Sequence, residues 1–275
     1  MNATWRPLER GEPIGVVALS GPVSREKLET GLKVLKSWGH PIITASNLGL
    51  KDRYLAGSDK DRLAGLEEVL DSGVRWILAA RGGYGCSRLM DSIPFAEMCR
   101  RGVSVVGYSD LTAILNPLVR ASGGGAIQIH GPMVASGLGR PANEKRLRAL
   151  LRGELVGRVL YRFPVASAIR SGRVQGRSIG GNLSLITALL GTPWEPDFDG
   201  SVLFLEEVDE PLYRLDRMLT HLRASGRLRN VKALIGGSLR GCRPARDRAE
   251  QWRQMLLESA PENAVVVADL PFGHG

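Results

Sequence analysis

Short apolar runs alternate with amphipathic stretches along the first half of the chain. The apolar runs predict β-strands at residues 14–19, 41–45, 76–80, 103–106 and 126–129. The amphipathic stretches predict helices at residues 24–38, 58–70, 111–118 and 143–152, with Ser24 and Ser58 as possible caps. Apolar runs of this length between helices are typical of a parallel sheet that is covered on both faces. The pattern therefore predicts a doubly wound α/β domain, Rossmann-like or flavodoxin-like.

The pattern changes at residues 156–178, where small residues and scattered arginines interrupt the regular alternation. We interpret this range as a linker between an N-terminal domain, residues 1–155, and a C-terminal domain, residues 179–275. In the C-terminal domain we expect strands at residues 202–205, 233–235 and 264–267, and helices at 183–190, 212–223 and 245–257. The second domain is predicted to be a smaller, mixed α/β fold.

Composition narrows the class of protein. Of the 275 residues, 43% are hydrophobic and 24% are charged, as in globular proteins. The net charge is +9, but the basic residues are scattered, so we expect no nucleic-acid partner. The three cysteines form no Cys-X-X-Cys pair, which argues against a disulfide framework and a zinc site. The chain has no apolar leader or long apolar span, so we expect a soluble, cytoplasmic protein that does not bind a membrane.

A serine stands where the fourth predicted strand gives way to a helix, in Gly107-Tyr108-Ser109-Asp110. A sharp turn at such a place presents a hydroxyl outward and directs backbone N–H groups at a developing oxyanion. The segment is not the Gly-X-Ser-X-Gly elbow, however, and a Ser-Asp pair at a helix start often serves as an N-cap. From spacing alone, Ser109 is either a nucleophile or a cap.

A serine nucleophile needs a base, and the chain has four histidines. His40 precedes a predicted strand and His221 lies within a predicted helix, so we expect surface or packing roles for both. His130 ends a predicted parallel strand, and His274 follows a glycine beyond the last strand. Both His130 and His274 remain candidates for the base.

A catalytic triad also needs a carboxylate that orients the imidazole. Glu206 ends the apolar run 202–205, where burial beside a partner is plausible. The surrounding acidic cluster could equally form a solvated turn. The residues themselves leave both interpretations open.

The segment at residues 81–85, Arg-Gly-Gly-Tyr-Gly, also follows an apolar run directly. Glycines after a strand expose N–H groups that can bind a phosphate. The segment matches neither the Walker spacing nor Gly-X-Gly-X-X-Gly. A loop that donates to an oxyanion or binds a substrate carboxylate fits at least as well.

Six segments, in chain order, resemble the ordered motifs of the LD-carboxypeptidases, also called murein (muramoyl) tetrapeptide carboxypeptidases. They are Arg81-Gly-Gly-Tyr-Gly-Cys-Ser-Arg88, Gly107-Tyr-Ser-Asp-Leu-Thr112, His130-Gly-Pro-Met133, Gly180-Gly-Asn182 with Leu190-Gly-Thr-Pro-Trp194, Leu205-Glu-Glu-Val-Asp-Glu210 with Asp216-Arg-Met218, and Phe272-Gly-His274. The resemblance covers nearly the whole chain.

The resemblance implies a serine carboxypeptidase that releases the terminal D-Ala from L,D-tetrapeptides of peptidoglycan during cell-wall recycling. It implies Ser109 as nucleophile, Glu206 as acid and His274 as base, with an acyl-enzyme intermediate and no metal or cofactor. The partner would be a murein tetrapeptide or muropeptide, and the assembly a homodimer.

Further site residues follow from the same resemblance and from charge. We expect the oxyanion to be bound by backbone N–H groups of Asp110 and of Gly82 or Gly83. Arg81, Tyr84 and Asn182 are expected to bind substrate, Arg81 because of its charge.

Three alternatives and one departure from the family pattern accompany this interpretation. The microcin-immunity branch of the family cleaves aminoacyl-nucleotide analogues with the same triad, but residues 165–178 here lack the aromatic side chains with which that branch stacks the nucleobase. From another class, the chain could be an inactive binding module or a basic nucleic-acid-associated protein.

The family continues beyond its catalytic histidine, whereas this sequence has one residue after His274, so we expect a truncated C-terminal domain with a mobile His274 and low activity.

Overall fold

The computed structural model describes residues 5–123, 125–159 and 162–274. The chain divides into two compact units, Met1–Leu160 and Tyr161–Gly275. Each unit has its own five-stranded sheet among the described residues.

The first unit is a parallel sheet in the strand order β2-β1-β3-β4-β5. Its strands are β1 (Ile14–Val17), β2 (Ile42–Thr44), β3 (Trp76–Ala79), β4 (Ser104–Gly107) and β5 (Ile129–His130). Its helices are α1 (Arg25–Ser37), α2 (Asp59–Asp71), α3 (Phe95–Arg100), α4 (Thr112–Ala121) and α5 (Pro141–Leu151). The order reverses at β1, so the loops after β1 and β3 meet at a switch point at the carboxyl edge of the sheet, where α/β proteins bind ligands.

Continuous apolar strands explain why this sheet is buried. Ile14, Val16, Leu78 and Val106 are all fully buried, and burying one such side chain contributes about 1.5–3 kcal/mol. Helix α2 begins at the cap predicted at Ser58, whose hydroxyl accepts a hydrogen bond from the N3 backbone as part of a capping box.

The second unit is a mixed sheet in the order β6-β10-β9-β8-β7, in which only the β6–β10 pairing is antiparallel among the strands described. Its strands are β6 (Ala168–Arg170), β7 (Ser178–Asn182), β8 (Val202–Val208), β9 (Ala233–Arg240) and β10 (Val265–Val267). Its helices are α6 (Leu183–Ala188), α7 (Leu212–Ala224) and α8 (Arg248–Ser259). The two-domain α/β fold predicted from the sequence is confirmed.

The pattern missed three elements and shifted a fourth. Strand β7 contains two adjacent glycines and no apolar run, β6 lies in the range interpreted as a linker, and α3 has only six residues. Strand β5 begins at Ile129 and not at 126, because the Gln128 side chain accepts the Val105 N–H at 2.7 Å where a strand residue would otherwise pair. Within the described ranges, no helix is long and apolar enough to span a membrane.

Candidate active site

Ser109 occupies a strained turn directly after β4. Its φ is +63°, which is uncommon for a residue other than glycine, and its side chain is half-buried. A one-turn 3-10 helix, Ser109–Leu111, leads from it into α4. The N-cap positions belong to Tyr108 and Leu111, so the structure does not support the interpretation of Ser109 as a helix cap.

The glycine loop after β3 passes beside Ser109. A Cβ at Gly82 would lie 3.0 Å from the Ser109 Cβ and 3.2 Å from its Oγ. Gly83 has a φ of +128°, and a Cβ there would lie 3.1 Å from the Gly21 backbone. In the described part of the chain, the N–H groups of Gly82 and Gly83 have no hydrogen-bond acceptor. The close approach therefore favours glycine at both positions, and the two N–H groups stay available beside the hydroxyl.

Two predicted substrate-binding residues belong to the same loop and are exposed. Arg81 donates a hydrogen bond to the Pro22 carbonyl at 2.7 Å. Tyr84 is 48% exposed and packs edge-on against Tyr54, with ring centroids 5.8 Å apart. Both side chains leave polar atoms at the surface near the turn.

In the second unit, Glu206 lies at an irregularity of the β8–β9 pairing. Leu205 is opposite Gly236, whereas Glu207 is opposite Leu239, so one residue of β8 faces two residues of β9. Bulges of this kind change the direction of side chains and are frequent next to active sites.

Glu206 is fully buried and binds His274 twice. Its Oε2 lies 2.6 Å from the His274 Nδ1 and accepts the His274 backbone N–H at 3.2 Å. The His274 side chain is 14% exposed. When the carboxylate is ionised, Nδ1 carries the proton toward it and Nε2 is left as the basic nitrogen. This is the orientation that a carboxylate imposes on a general base.

Gly273 makes this contact possible. Its φ is +99°, and a Cβ there would lie 2.5 Å from the Glu206 Oε2 and 2.7 Å from the Glu206 Cβ. The preceding carbonyl, that of Phe272, accepts the Ser238 N–H at 3.0 Å, which ties the loop to β9. The position of His274 therefore depends on a glycine and on the bulged strand pair.

The neighbouring acid, Glu207, is also buried but has a different environment. Its Oε1 accepts the Asn182 amide at 2.6 Å, and its Oε2 accepts the Ser184 N–H and hydroxyl, each at 2.7 Å. Burial raises the pKa of Glu207 above the usual range, although these hydrogen bonds act in the opposite direction. The Asn182 oxygen accepts the Leu185 N–H and caps α6, so these two contacts of Asn182 lie within the second unit.

The other histidines have separate surroundings. His130 is paired with Gly107 across β5 and β4, and its ring lies 5.9 Å from that of Tyr108. His40 is buried, and its Nδ1 lies 2.9 Å from a backbone carbonyl. His221 is exposed on α7. The contact with Glu206 in the described structure is made by His274.

The predicted residues thus form two groups, one in each unit. Ser109 adjoins Gly82 in the first unit, and Glu206 contacts His274 in the second. Sequence reasoning missed Ser20 and the backbone of Cys86, which bind the Asp110 side chain. Their only sequence signal is that each follows a strand at the same sheet edge. No cluster of side chains suited to a metal ion occurs within the ranges described.

Comparison with known proteins assigns the chain to a family. The LD-carboxypeptidase N-terminal domain matches residues 14–131, and the LD-carboxypeptidase C-terminal domain matches residues 175–275. A putative carboxypeptidase of Synechocystis sp. is 36% identical over 275 residues, covering 98% of this chain and 88% of that protein. The chain belongs to the LD-carboxypeptidase family, which confirms the resemblance found in its motifs.

Two further matches differ in what they are known for. The murein tetrapeptide carboxypeptidase of Pseudomonas aeruginosa is 30% identical over 286 residues, covering 100% of this chain and 91% of that protein. A solved structure of the microcin C7 self-immunity protein MccF matches with a TM-score of 0.83 and 22% sequence identity. The match covers 100% of this chain and 91% of the MccF chain. The MccF likeness shows a shared fold alone.

Proposed function

We propose that this protein is a serine carboxypeptidase that releases the terminal D-Ala from L,D-tetrapeptides of peptidoglycan. The single observation that carries the proposal is the Glu206–His274 contact, because a buried carboxylate against Nδ1 leaves Nε2 as a base. Membership of the LD-carboxypeptidase family and the named Pseudomonas aeruginosa relative support the substrate class.

In this proposal the two units divide the catalytic work. The first unit supplies Ser109 as nucleophile, with the N–H groups of Asp110 and of Gly82 or Gly83 for the oxyanion. The second supplies Glu206 and His274. The available N–H groups of the glycine loop and the close approach of Gly82 to Ser109 support the first assignment.

The proposed reaction has two steps, each using the same base. His274 takes the Ser109 proton while Oγ bonds to the carbonyl carbon between the L-centre of the diamino acid and D-Ala, and the C–N bond then breaks as the proton passes to the D-Ala nitrogen. Water next attacks the ester, gives its proton to His274 and releases the tripeptide, and Ser109 is reprotonated. We propose that Arg81, Tyr84 and Asn182 bind the substrate.

Release of D-Ala from the murein tetrapeptide, followed by mass spectrometry, tests the proposal. We expect the wild type to form tripeptide and D-Ala, Ser109→Ala to form neither, and Ser37→Ala, a change at the exposed end of α1, to match the wild type. An unchanged rate in Ser109→Ala contradicts the assignment of the nucleophile.

The same preparation offered an aminoacyl-sulfamoyl adenylate tests the microcin-immunity alternative. Residues 165–178 contain no aromatic side chain with which to stack a nucleobase, so we expect the peptide to be the better substrate. Cleavage of the adenylate with no release of D-Ala overturns the peptidoglycan proposal.

A further inference from the structure

The carboxylate of Asp110 joins three loops at the carboxyl edge of the first sheet. Asp110 belongs to the loop after β4, and its Oδ2 accepts the Ser20 hydroxyl at 2.6 Å from the loop after β1. The same oxygen accepts the Cys86 backbone N–H at 2.9 Å from the loop after β3. One oxygen atom therefore connects the segment that carries Ser109 to both neighbouring loops.

This network is buried and contains charged groups. Asp110 is 1% exposed, and its Oδ1 has no hydrogen-bond partner among the described residues. Arg62 is fully buried nearby, donates to the Leu19 carbonyl and bonds Asp59 at 2.5 Å. Burial raises the pKa of the Cys86 thiol well above its usual range, and the negative charge of Asp110 raises it further. Cys86 therefore stays a neutral thiol here.

The consequence falls on the residue before Asp110. Ser109 holds a φ of +63°, a conformation that persists in a residue with a side chain only when its surroundings enforce it. The hydrogen bonds of Asp110 act one residue away from that strained bond. They also connect the turn to Cys86, four residues after Gly82, where an added Cβ would lie 3.0 Å from the Ser109 Cβ.

We propose that Asp110 is a positioning residue. Through the hydrogen bonds from Ser20 and from the Cys86 N–H, its side chain holds the Ser109 hydroxyl against the N–H groups of Gly82 and Gly83. The proposal rests on the function proposed above, because it concerns the reactivity of Ser109. It assigns Asp110 a side-chain role in addition to its backbone N–H.

The chain provides a matched control in the same unit. Asp61 accepts the Ser58 N–H at 2.8 Å and the Ser58 hydroxyl at 2.7 Å, so it also binds one backbone N–H and one serine hydroxyl through Oδ2. Asp61 and Ser58 cap helix α2, and the hydrogen bonds between them do not involve the loop that carries Ser109. Loss of the Asp61 hydrogen bonds should lower the stability of the protein and leave the reactivity of Ser109 unchanged.

The test compares Asp110→Ala, Asp110→Asn and Ser20→Ala with Asp61→Ala and Ser58→Ala. The readouts are the rate constant of Ser109 labelling by a fluorophosphonate, kcat and KM for the tetrapeptide, and the melting temperature. We expect Asp110→Ala to lower both the labelling rate and kcat by about 10²-fold with little change in KM, the loss caused by a small misplacement of a reacting group. Asp110→Asn should recover most of the loss, since its amide oxygen can accept both hydrogen bonds. Ser20→Ala should lose less than Asp110→Ala.

The outcomes separate a positioning role from a purely structural one. Slow labelling in Asp110→Ala and Ser20→Ala, with wild-type labelling in Asp61→Ala and Ser58→Ala, supports the proposal. Equal losses of labelling rate in Asp110→Ala and Asp61→Ala overturn it. Wild-type labelling in Asp110→Ala also overturns it, even where the melting temperature of that variant is lower. Labelling needs no peptide, so failure of the wild type to release D-Ala refutes the proposed function and leaves the Asp110 comparison measurable.

Discussion

The two units hold their candidate catalytic groups in different ways. In the first unit Ser109 lies on a loop turn with a positive φ, supported by hydrogen bonds from neighbouring loops. In the second unit Glu206 is part of a strand, and His274 reaches it from a loop through a single glycine. The nucleophile therefore depends on contacts between loops, whereas the acid and base depend on strand register and on close backbone approach.

Removing the reacting groups is the first way to test this comparison, and it has the largest expected effect. We expect Ser109→Ala and His274→Ala each to lower kcat by roughly 10⁴- to 10⁶-fold, and the double variant to lose little more, because groups that act as a unit are not additive. Steady-state release of D-Ala measures this. Losses that multiply in the double variant would mean that the two residues act independently.

Glu206→Gln tests the second unit alone. The amide keeps the size of the side chain but can stabilise the wrong tautomer of His274, so we expect kcat to fall by roughly 10³- to 10⁴-fold. We expect the fold to survive, because among the described residues the Glu206 carboxylate bonds only His274, which lies in a loop outside the sheet. Melting temperature and kcat measured together check this. Wild-type kcat in Glu206→Gln would remove Glu206 from the mechanism.

The sequence predicted the first unit better than the second, for a physical reason. Strands such as β3 are continuous apolar runs that can be recognised in the sequence, and Ser109 follows such a run directly. Strand β7 includes Gly180, where an added Cβ would collide with the Phe204 backbone. Because this close packing requires glycine, the strand lacks the apolar run from which it could have been predicted. The Glu206–His274 contact joins residues 68 positions apart and depends on a bulge, which no local pattern encodes.

Glycine substitutions can break the comparison between the units. At Gly273 an added Cβ would meet the Glu206 carboxylate at 2.5 Å in a backbone region that favours glycine, whereas at Gly82 it would meet the Ser109 Cβ at 3.0 Å with an ordinary φ. We therefore expect Gly273→Ala to lower kcat by about 10²-fold through misplacement of His274, and Gly82→Ala to lose less. Gly49→Ala, where an added Cβ meets nothing within 4 Å, is the control. A greater loss in Gly82→Ala would reverse the order of sensitivity of the two sites.

The smallest expected effect is a contrast in the pH dependence of stability. Burial raises the pKa of Glu207 in the second unit, whereas the hydrogen bond from Arg88 lowers the pKa of Asp59 in the first. A raised carboxyl pKa contributes stability that is complete below the unfolded-state value, about 4.3 for glutamate, and is lost as the pH rises through the folded value. A lowered pKa contributes stability that is present above about 3.9 for aspartate and is lost as the pH falls through the folded value.

Melting temperatures of Glu207→Gln and Asp59→Asn across this range should therefore change in opposite directions relative to the wild type. The advantage of the wild type over Glu207→Gln should shrink as the pH rises from about 4, because ionising the buried carboxyl costs free energy only in the folded wild type. The advantage over Asp59→Asn should shrink as the pH falls, and by less, because the Asp59 side chain is 37% exposed and solvent screens its ion pairs. Parallel curves for the two variants would show that Glu207 remains ionised at no cost. Its hydrogen bonds from Asn182 and Ser184, with a further one from the Val208 N–H at 2.9 Å, would then outweigh its burial.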